Sequence, residues 1–502
     1  MKKLVYGAAA SFVLATSAMA ASGDNTLNIA WKSELTTLDR FNSASPEINI
    51  VQHLVFDGLI YRDPDTFEYK PALATSWEFT DDKTLELGLR KGVTFQNGEP
   101  FNADDVVATI KYITDPDNPI VTGNNTSWID SAAKIGDYKV RINLKEPFPA
   151  AVEYLAGPIP MYPNEYLASV GKEGFSTKPI GTGPYRVTGS EPGRSITFEK
   201  NEAYWEGSPK GKPSIGKIVQ RTIPDSNTQV AELLSGGIDW MWRVPEDQAS
   251  KLGSVGNVTV QANETMRVGF ILFDSSGRAG ESPFQKVAVR RAIAHAIDRE
   301  SMSKKLVGGG SRSVHTLCFP LQFGCTDEGA IKYEYSPDKA KKMLAEAGYP
   351  EGFEFDIYAF SNRPYTEAVV NYLRAAGVQA NLRFLQFPAL FKKLQAGEIQ
   401  AAHMNWGSYG ISDVSALTSR FFKGGKTDYA QDKDVQAWIE KADVSVDGDE
   451  RKQLYKMALD RIADQAYALP MFSYVNYLAF SSDLNLPPQA DEFPHLYRAS
   501  WK

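Results

Sequence analysis

The sequence predicts an α/β protein built as two or more lobes. Three observations carry this. About 480 residues remain once a short leader is set aside, more than one hydrophobic core usually supports. From Met266 to about Phe480, strand-like and helix-like stretches alternate, the pattern of a βα lobe with a largely parallel sheet. The segment Pro71 to Ile113 differs: Trp77, Phe79, Leu85, Leu87 and Leu89 alternate with polar residues, as in paired strands.

Taken in order, Thr26 to Trp31 alternates as a strand, and Ser43 to Leu59 reads as a helix. Asp81 and Asp82 supply a turn between two strands, and Asn97 with Gly98 a second. Asn102 is placed to cap a helix whose first turn carries Asp104 and Asp105. In Val287 to Met302 the residues Val289, Ile293, Ala296 and Ile297 form one helical face, and Arg290, Arg291 and Arg299 are expected as solvated surface. Helices are then expected at Asp338–Ala347, Thr366–Ala376 and Ala389–Ala396, strands at Glu354–Ala359 and Val378–Leu385, and an apolar return crossing at Gln465–Phe480.

Lys2 and Lys3, an uncharged run to Met19, and the small residues Ala18 and Ala20 form a secretory signal peptide over residues 1–20, with cleavage before Ala21. No cysteine near that site offers a lipid anchor, and no later stretch approaches the roughly 18 apolar residues that span a bilayer. The formal net charge of −7, more negative still without the two leader lysines, gives no electrostatic footprint for nucleic acid or anionic lipid. A periplasmic protein without a direct membrane anchor is expected. The two cysteines, Cys318 and Cys325, flank a turn containing Pro320 and Gly324, and in an oxidising compartment they are expected to close a small disulfide loop.

Enzyme signatures are missing. No GxSxG elbow or spaced acid pair stands out, so a secreted hydrolase is the weaker alternative, and a structural or chaperone-like protein a third. His53, His295, His315, His403 and His495 are scattered without HxH or HExxH spacing, so neither a metal site nor a cofactor is expected.

The phrases SWEFTDD, LRKGVTFQNGEPFNADDVV, PIGTGPYRV, FEKNEAYWEG, FQKVAVRRAIAHAIDRESM and YSPDKAKKMLAEAGYPEGFEFDIY occur in that order. This succession resembles the extracytoplasmic solute-binding proteins of peptide-type ABC importers, family 5 or cluster C, whose members bind dipeptides, oligopeptides, nickel or opines. The resemblance covers nearly the whole mature chain. It implies a two-lobed periplasmic binding protein fold of type II: a first lobe over 21–267 with an extra subdomain at about 52–178, a second lobe over 268–480, and a return to the first over 481–502. It also implies a monomer that closes on a peptide-like solute and delivers it to a membrane permease. An opine or amino-acid conjugate, then a nickel complex, are the alternative ligands.

Ligands of open α/β sheets sit beyond strand ends, and two groups fall there. One is Arg363, after the strand ending near Ala359; the other is the loop Trp406, Gly407, Ser408, Tyr409 to Asp413. Arginine's planar fork suits a carboxylate and aspartate an ammonium. Arg363, in SNRPY, resembles the arginine that dipeptide-binding members use on the ligand carboxylate. Asp413 resembles the aspartate that holds the ligand amine, although peptide binders commonly show Asp-Pro-Asp where this chain has Ile411, Ser412, Asp413, Val414. Trp406 is expected to wall the ligand, and Ser43, in FNSAS, to offer a polar contact from the first lobe.

Overall fold

A computed structural model describes residues 24–502 except Ala44, and leaves the side chain of Tyr409 undescribed. The expected signal peptide lies outside the described residues.

One ten-stranded mixed sheet runs through both lobes. Its order is Gln379–Phe384, Glu354–Ala359, Ala401–Trp406, Val258–Phe273, Ala468–Ser481, Trp240–Trp242, Thr26–Trp31, Lys217–Thr222, Ser195–Lys200, Tyr185–Glu191. At its centre Val258–Phe273 and Ala468–Ser481 pair antiparallel from Val258–Ser481 to Leu272–Ala468, with register shifts between Glu264 and Val268 and between Val268 and Phe270. These strands belong to both halves: Leu478–Phe480 of one pairs with Trp240–Trp242, and Val268–Phe273 of the other pairs with Ala401–Trp406. The expected lobe boundary at 267/268 falls in this irregular stretch.

Separate cores sit on either side. Leu27, Ile50, Val55, Leu87, Ile142 and Phe198 belong to the first lobe's; Ile271, Ile293, Ile357 and Val369 belong to one layer of the second and Phe270, Leu394, Trp406 and Leu459 to the other. Within the first lobe a four-stranded antiparallel sheet, Ala74–Asp81, Thr84–Leu89, Lys139–Leu144, Ile129–Gly136, packs under the helix Ala103–Thr114. Asn102 caps that helix on the Asp104 N–H, and Asp105 reaches back to the Asn102 N–H, a capping box.

Local chemistry moved several expected boundaries. The first helix is Glu47–Val55, started at Pro46 and ended by an extended Phe56. Gly181 and Gly183 press on its end: a Cβ at Gly181 would lie 2.2 Å from the Val55 carbonyl oxygen and at Gly183 2.4 Å from the Val55 carbonyl carbon, so glycine is demanded by close approach. The second-lobe sheet is less parallel than expected, because Ala401–Trp406 pairs antiparallel with Val258–Phe273 and parallel only with Glu354–Ala359. The helix from Val287 stops at Ala296, where Ile297 turns extended.

The arginines of Val287 to Met302 are not all solvated surface. Arg290 and Arg299 are buried, and their guanidinium groups saturate backbone carbonyls: Arg290 donates to Gln465 O at 3.0 and 2.8 Å, and Arg299 to Pro470 O and Tyr333 O, both at 2.8 Å. Five fixed donors let arginine close chain ends that a lysine could not. Only Arg291 stays partly exposed, paired with Asp464.

Candidate functional site

The strand Ala401–Trp406 is buried on both faces and ends in a short turn, Ser408–Gly410. Ser408 has φ 53° and Gly410 φ 75°, so the chain bends back sharply after Trp406. Trp406, Gly407 and Ser408 line a cavity of about 480 Å³ with Arg267, Asn405, Phe360 and Phe387. The indole N–H of Trp406 donates to Ala416 O at 2.9 Å and its ring meets Phe421 edge-on, so its polar tip is anchored in the lobe.

Two opposite charges adjoin this cavity. Arg267 donates from Nε to Glu492 Oε1 at 2.7 Å, from Nη2 to Oε2 at 3.2 Å, and from Nη1 to Asn405 Oδ1 at 2.7 Å. Gly407 permits that arrangement, since a Cβ there would lie 2.5 Å from Glu492 Oε2 and 2.6 Å from Arg267 Nη2. No local pattern marks this pair, whose members stand in a crossing strand and near the C-terminus.

The two proposed charge anchors are not at this cavity. Arg363 opens the helix Arg363–Ala375 with its side chain 56% exposed; it donates to Glu367 at 2.8 Å, one turn on, and lies over the Phe384 ring. Asp413 is 3% exposed, and its carboxylate is already used: Oδ2 accepts from Arg451 Nη2 at 2.9 Å and Oδ1 from the Ser415 N–H at 3.0 Å. Arg451 in turn lies over Phe323 and donates to Ala442 O. Asp413 therefore neutralises a buried arginine, which accounts for an acid at that register without a ligand.

The disulfide Cys318–Cys325 forms, with Cα atoms 5.7 Å apart. Its loop supports the segment after Trp406: Phe323 N–H donates to Ser412 O at 2.9 Å, Val414 N–H to Phe323 O at 3.1 Å, and Gln322 Nε2 to Ile411 O at 3.0 Å.

From the first lobe, Arg62 and Glu153 grip the same segment. Arg62 donates to Gly410 O at 2.8 Å and pairs with Glu153, which accepts the Ser412 N–H at 2.6 Å and the Tyr69 hydroxyl at 2.7 Å. Burial raises the Glu153 carboxyl above its ordinary value, against Arg62 and the Ser412 N–H, which favour the anion. Ser43 is buried, accepts the Ser45 N–H at 3.2 Å, and lines a separate cavity of about 630 Å³ with Arg40, Asn49, Asn125 and Phe493. Arg243, at φ 55°, stacks on Trp242 at 4.3 Å and has no carboxylate within ion-pair distance among the described residues. Burial lowers its affinity for its proton, against the Glu492 and Glu47 carboxylates, which favour the cation from further off.

His53 and His495, far apart in sequence, stack at 4.3 Å with Asp491 beside them. Sequence spacing does not reveal this triad, because its members come from the two ends of the chain.

Two lobes sharing a pair of central strands, with a solute-sized cavity beside the crossing, define a solute-binding protein of an ABC importer. The chain belongs to the bacterial extracellular solute-binding proteins of family 5, whose middle-region model matches residues 68–428. It is 26% identical over 468 residues to the heme-binding protein A of Haemophilus influenzae, covering 86% of this chain and 84% of that one. Against the glutathione-binding protein of Escherichia coli strain K12 it is 28% identical over 463 residues, 88% of each chain. Among solved structures, the dipeptide binding protein from Pseudoalteromonas sp. SM9913 in complex with Met-Leu shares the fold, with a TM-score of 0.75, 24% identity, and 95% of this chain and 100% of that chain covered. No helix among the described residues is long and apolar enough to cross a membrane.

Proposed function

We propose that this chain is a periplasmic receptor that takes a peptide-like solute, a di-, tri- or oligopeptide, into the cavity beneath Trp406, Gly407 and Ser408. It then delivers the solute unchanged, as a monomer, to a membrane permease. The observation that carries the reading is the Arg267–Glu492 pair beside an aromatic wall. A zwitterion exchanges partners with such a pair: its carboxylate takes Arg267, its ammonium takes Glu492, and no charge is left buried alone. Arg243, lacking a carboxylate partner, adds positive charge for the solute's acid end. Relatives described as binding glutathione and heme support small-solute capture rather than turnover.

Calorimetry of the tag-free mature protein against dipeptides, tripeptides, glutathione and opines tests it. The expected result is saturable one-to-one binding of a peptide, weakened at least tenfold in Arg267→Gln, with the peptide recovered intact. Binding of an opine with no peptide bound, or cleavage of the peptide, overturns it.

A further inference from the structure

We propose that His53, Asp491 and His495 form a binding site for a divalent transition-metal ion on the first lobe, separate from the cavity beneath Trp406. Each residue offers one ligand atom, and these atoms all lie within 4.8 Å of one another. His53 stands on the last turn of the helix Glu47–Val55; Asp491 and His495 precede the turn Leu496–Arg498. The His495 ring is held at its far side by Tyr497, whose hydroxyl is 2.8 Å from Nδ1, so Nε2 is the nitrogen turned to Asp491 Oδ2 at 2.6 Å. Fixing one imidazole nitrogen so that the other is presented is how proteins orient a metal-ligating histidine.

A second observation is independent of the cluster's spacing. Asp491 is 4% exposed, and its Oδ1 is buried with no hydrogen-bond partner among the described residues. A buried carboxylate oxygen without a donor is costly, and a cation bridging it to the two imidazoles removes that cost. The simpler account, a buried histidine–aspartate hydrogen bond with the second ring as packing, explains Oδ2 and leaves Oδ1 unanswered.

The surroundings permit an ion. All three residues line one cavity of about 780 Å³, which gives water and ion a way in. Two cations stand nearby, Arg62 at 3.9 Å from Asp491 and Lys210, but each has its own carboxylate: Arg62 pairs with Glu153, and Lys210 with Asp57 at 2.9 Å. Two imidazoles and one carboxylate suit Zn²⁺, Ni²⁺ or Co²⁺ and disfavour Mg²⁺ or Ca²⁺, which prefer all-oxygen shells. Because the three residues line that cavity, water can complete the coordination of an ion held there.

Tag-free mature protein, stripped with a chelator and free of solute, is titrated with Zn²⁺, Ni²⁺, Co²⁺ and Mg²⁺ by calorimetry, and Co²⁺ binding is followed by its visible absorption. One transition-metal ion per chain is expected, with little response to Mg²⁺ and affinity reduced in His53→Ala and Asp491→Asn by more than the roughly 10-fold that loss of an outer-shell partner alone costs. His53 is partly exposed, so the metal-free melting temperature of His53→Ala should match the wild type and separate loss of a ligand from loss of fold. No saturable binding beyond that of Mg²⁺, or equal affinity in wild type and both variants, overturns the site. The titration involves no peptide, so a failed peptide screen leaves it standing, and its own failure leaves the solute reading intact.

Discussion

Glu153 accepts the backbone N–H of Ser412 at 2.6 Å, although the two residues are 259 positions apart and belong to different lobes. With Arg62 on the Gly410 carbonyl, it ties the first lobe to the loop that follows Trp406. Glu153→Gln exchanges a charge-assisted acceptor for a neutral one and should weaken this contact between the lobes. Solute dissociation should quicken several-fold in stopped-flow measurements; an unchanged rate would remove the contact from the closing mechanism.

Asp413 and Arg363 should behave oppositely to their places in the sequence argument. Asp413→Ala leaves Arg451 buried without its partner and should cost roughly 3–5 kcal/mol of stability in denaturant titration. Arg363→Ala breaks an exposed pair one helical turn long and should change stability by less than about 1 kcal/mol and solute affinity hardly at all. A large loss of affinity on removing Arg363 would return it to the site.

Gly407→Ala should depress solute affinity tenfold or more by calorimetry while leaving the fold intact. The added methyl displaces the Arg267–Glu492 pair, since the backbone there lies at negative φ and accepts alanine without strain. Normal affinity would show that this pair does not hold solute.

His403 provides a pH dependence with a definite sign. Burial pushes its pKa down to about 4, and Nδ1 lies 2.9 Å from the Thr366 hydroxyl. The folded protein therefore resists protonating it, while the unfolded chain takes a proton near pH 6.5. Stability from this group is complete above pH 6.5 and is lost as pH falls toward 4, by up to about 3 kcal/mol. His403→Gln should flatten the fall in melting temperature across that window; identical slopes would reject the assignment.

Replacing Cys318 and Cys325 together by serine should cost about 2–3 kcal/mol through the freed loop. Because Gln322 and Phe323 hold Ile411, Ser412 and Val414, solute affinity should fall as well. Loss of stability with unchanged affinity would confine the bridge to a purely local role.

Local physics was legible in the sequence, and distant partnership was not. The strand Glu354–Ala359 and the capping box at Asn102 follow from alternation and side-chain chemistry over a few residues. The loop at Trp406 stood out because tryptophan, glycine and hydroxyls are concentrated there. Arg267 with Glu492, Arg62 with Glu153, and His53 with His495 are joined only by the fold, and nothing in their neighbours' chemistry announces them. Asp413 misled for a related reason: an aspartate in a polar loop reads as available until Arg451, from a helix well downstream, is seen to claim it.

The pairing of Val258–Phe273 with Ala468–Ser481 constrains how the protein can move. Both connections between the halves are laced to each other, so neither can swivel by itself. Any change in the angle between the jaws has to flex this two-ply ribbon, and its irregular middle between Glu264 and Phe270, where rungs are missing, offers the least resistance.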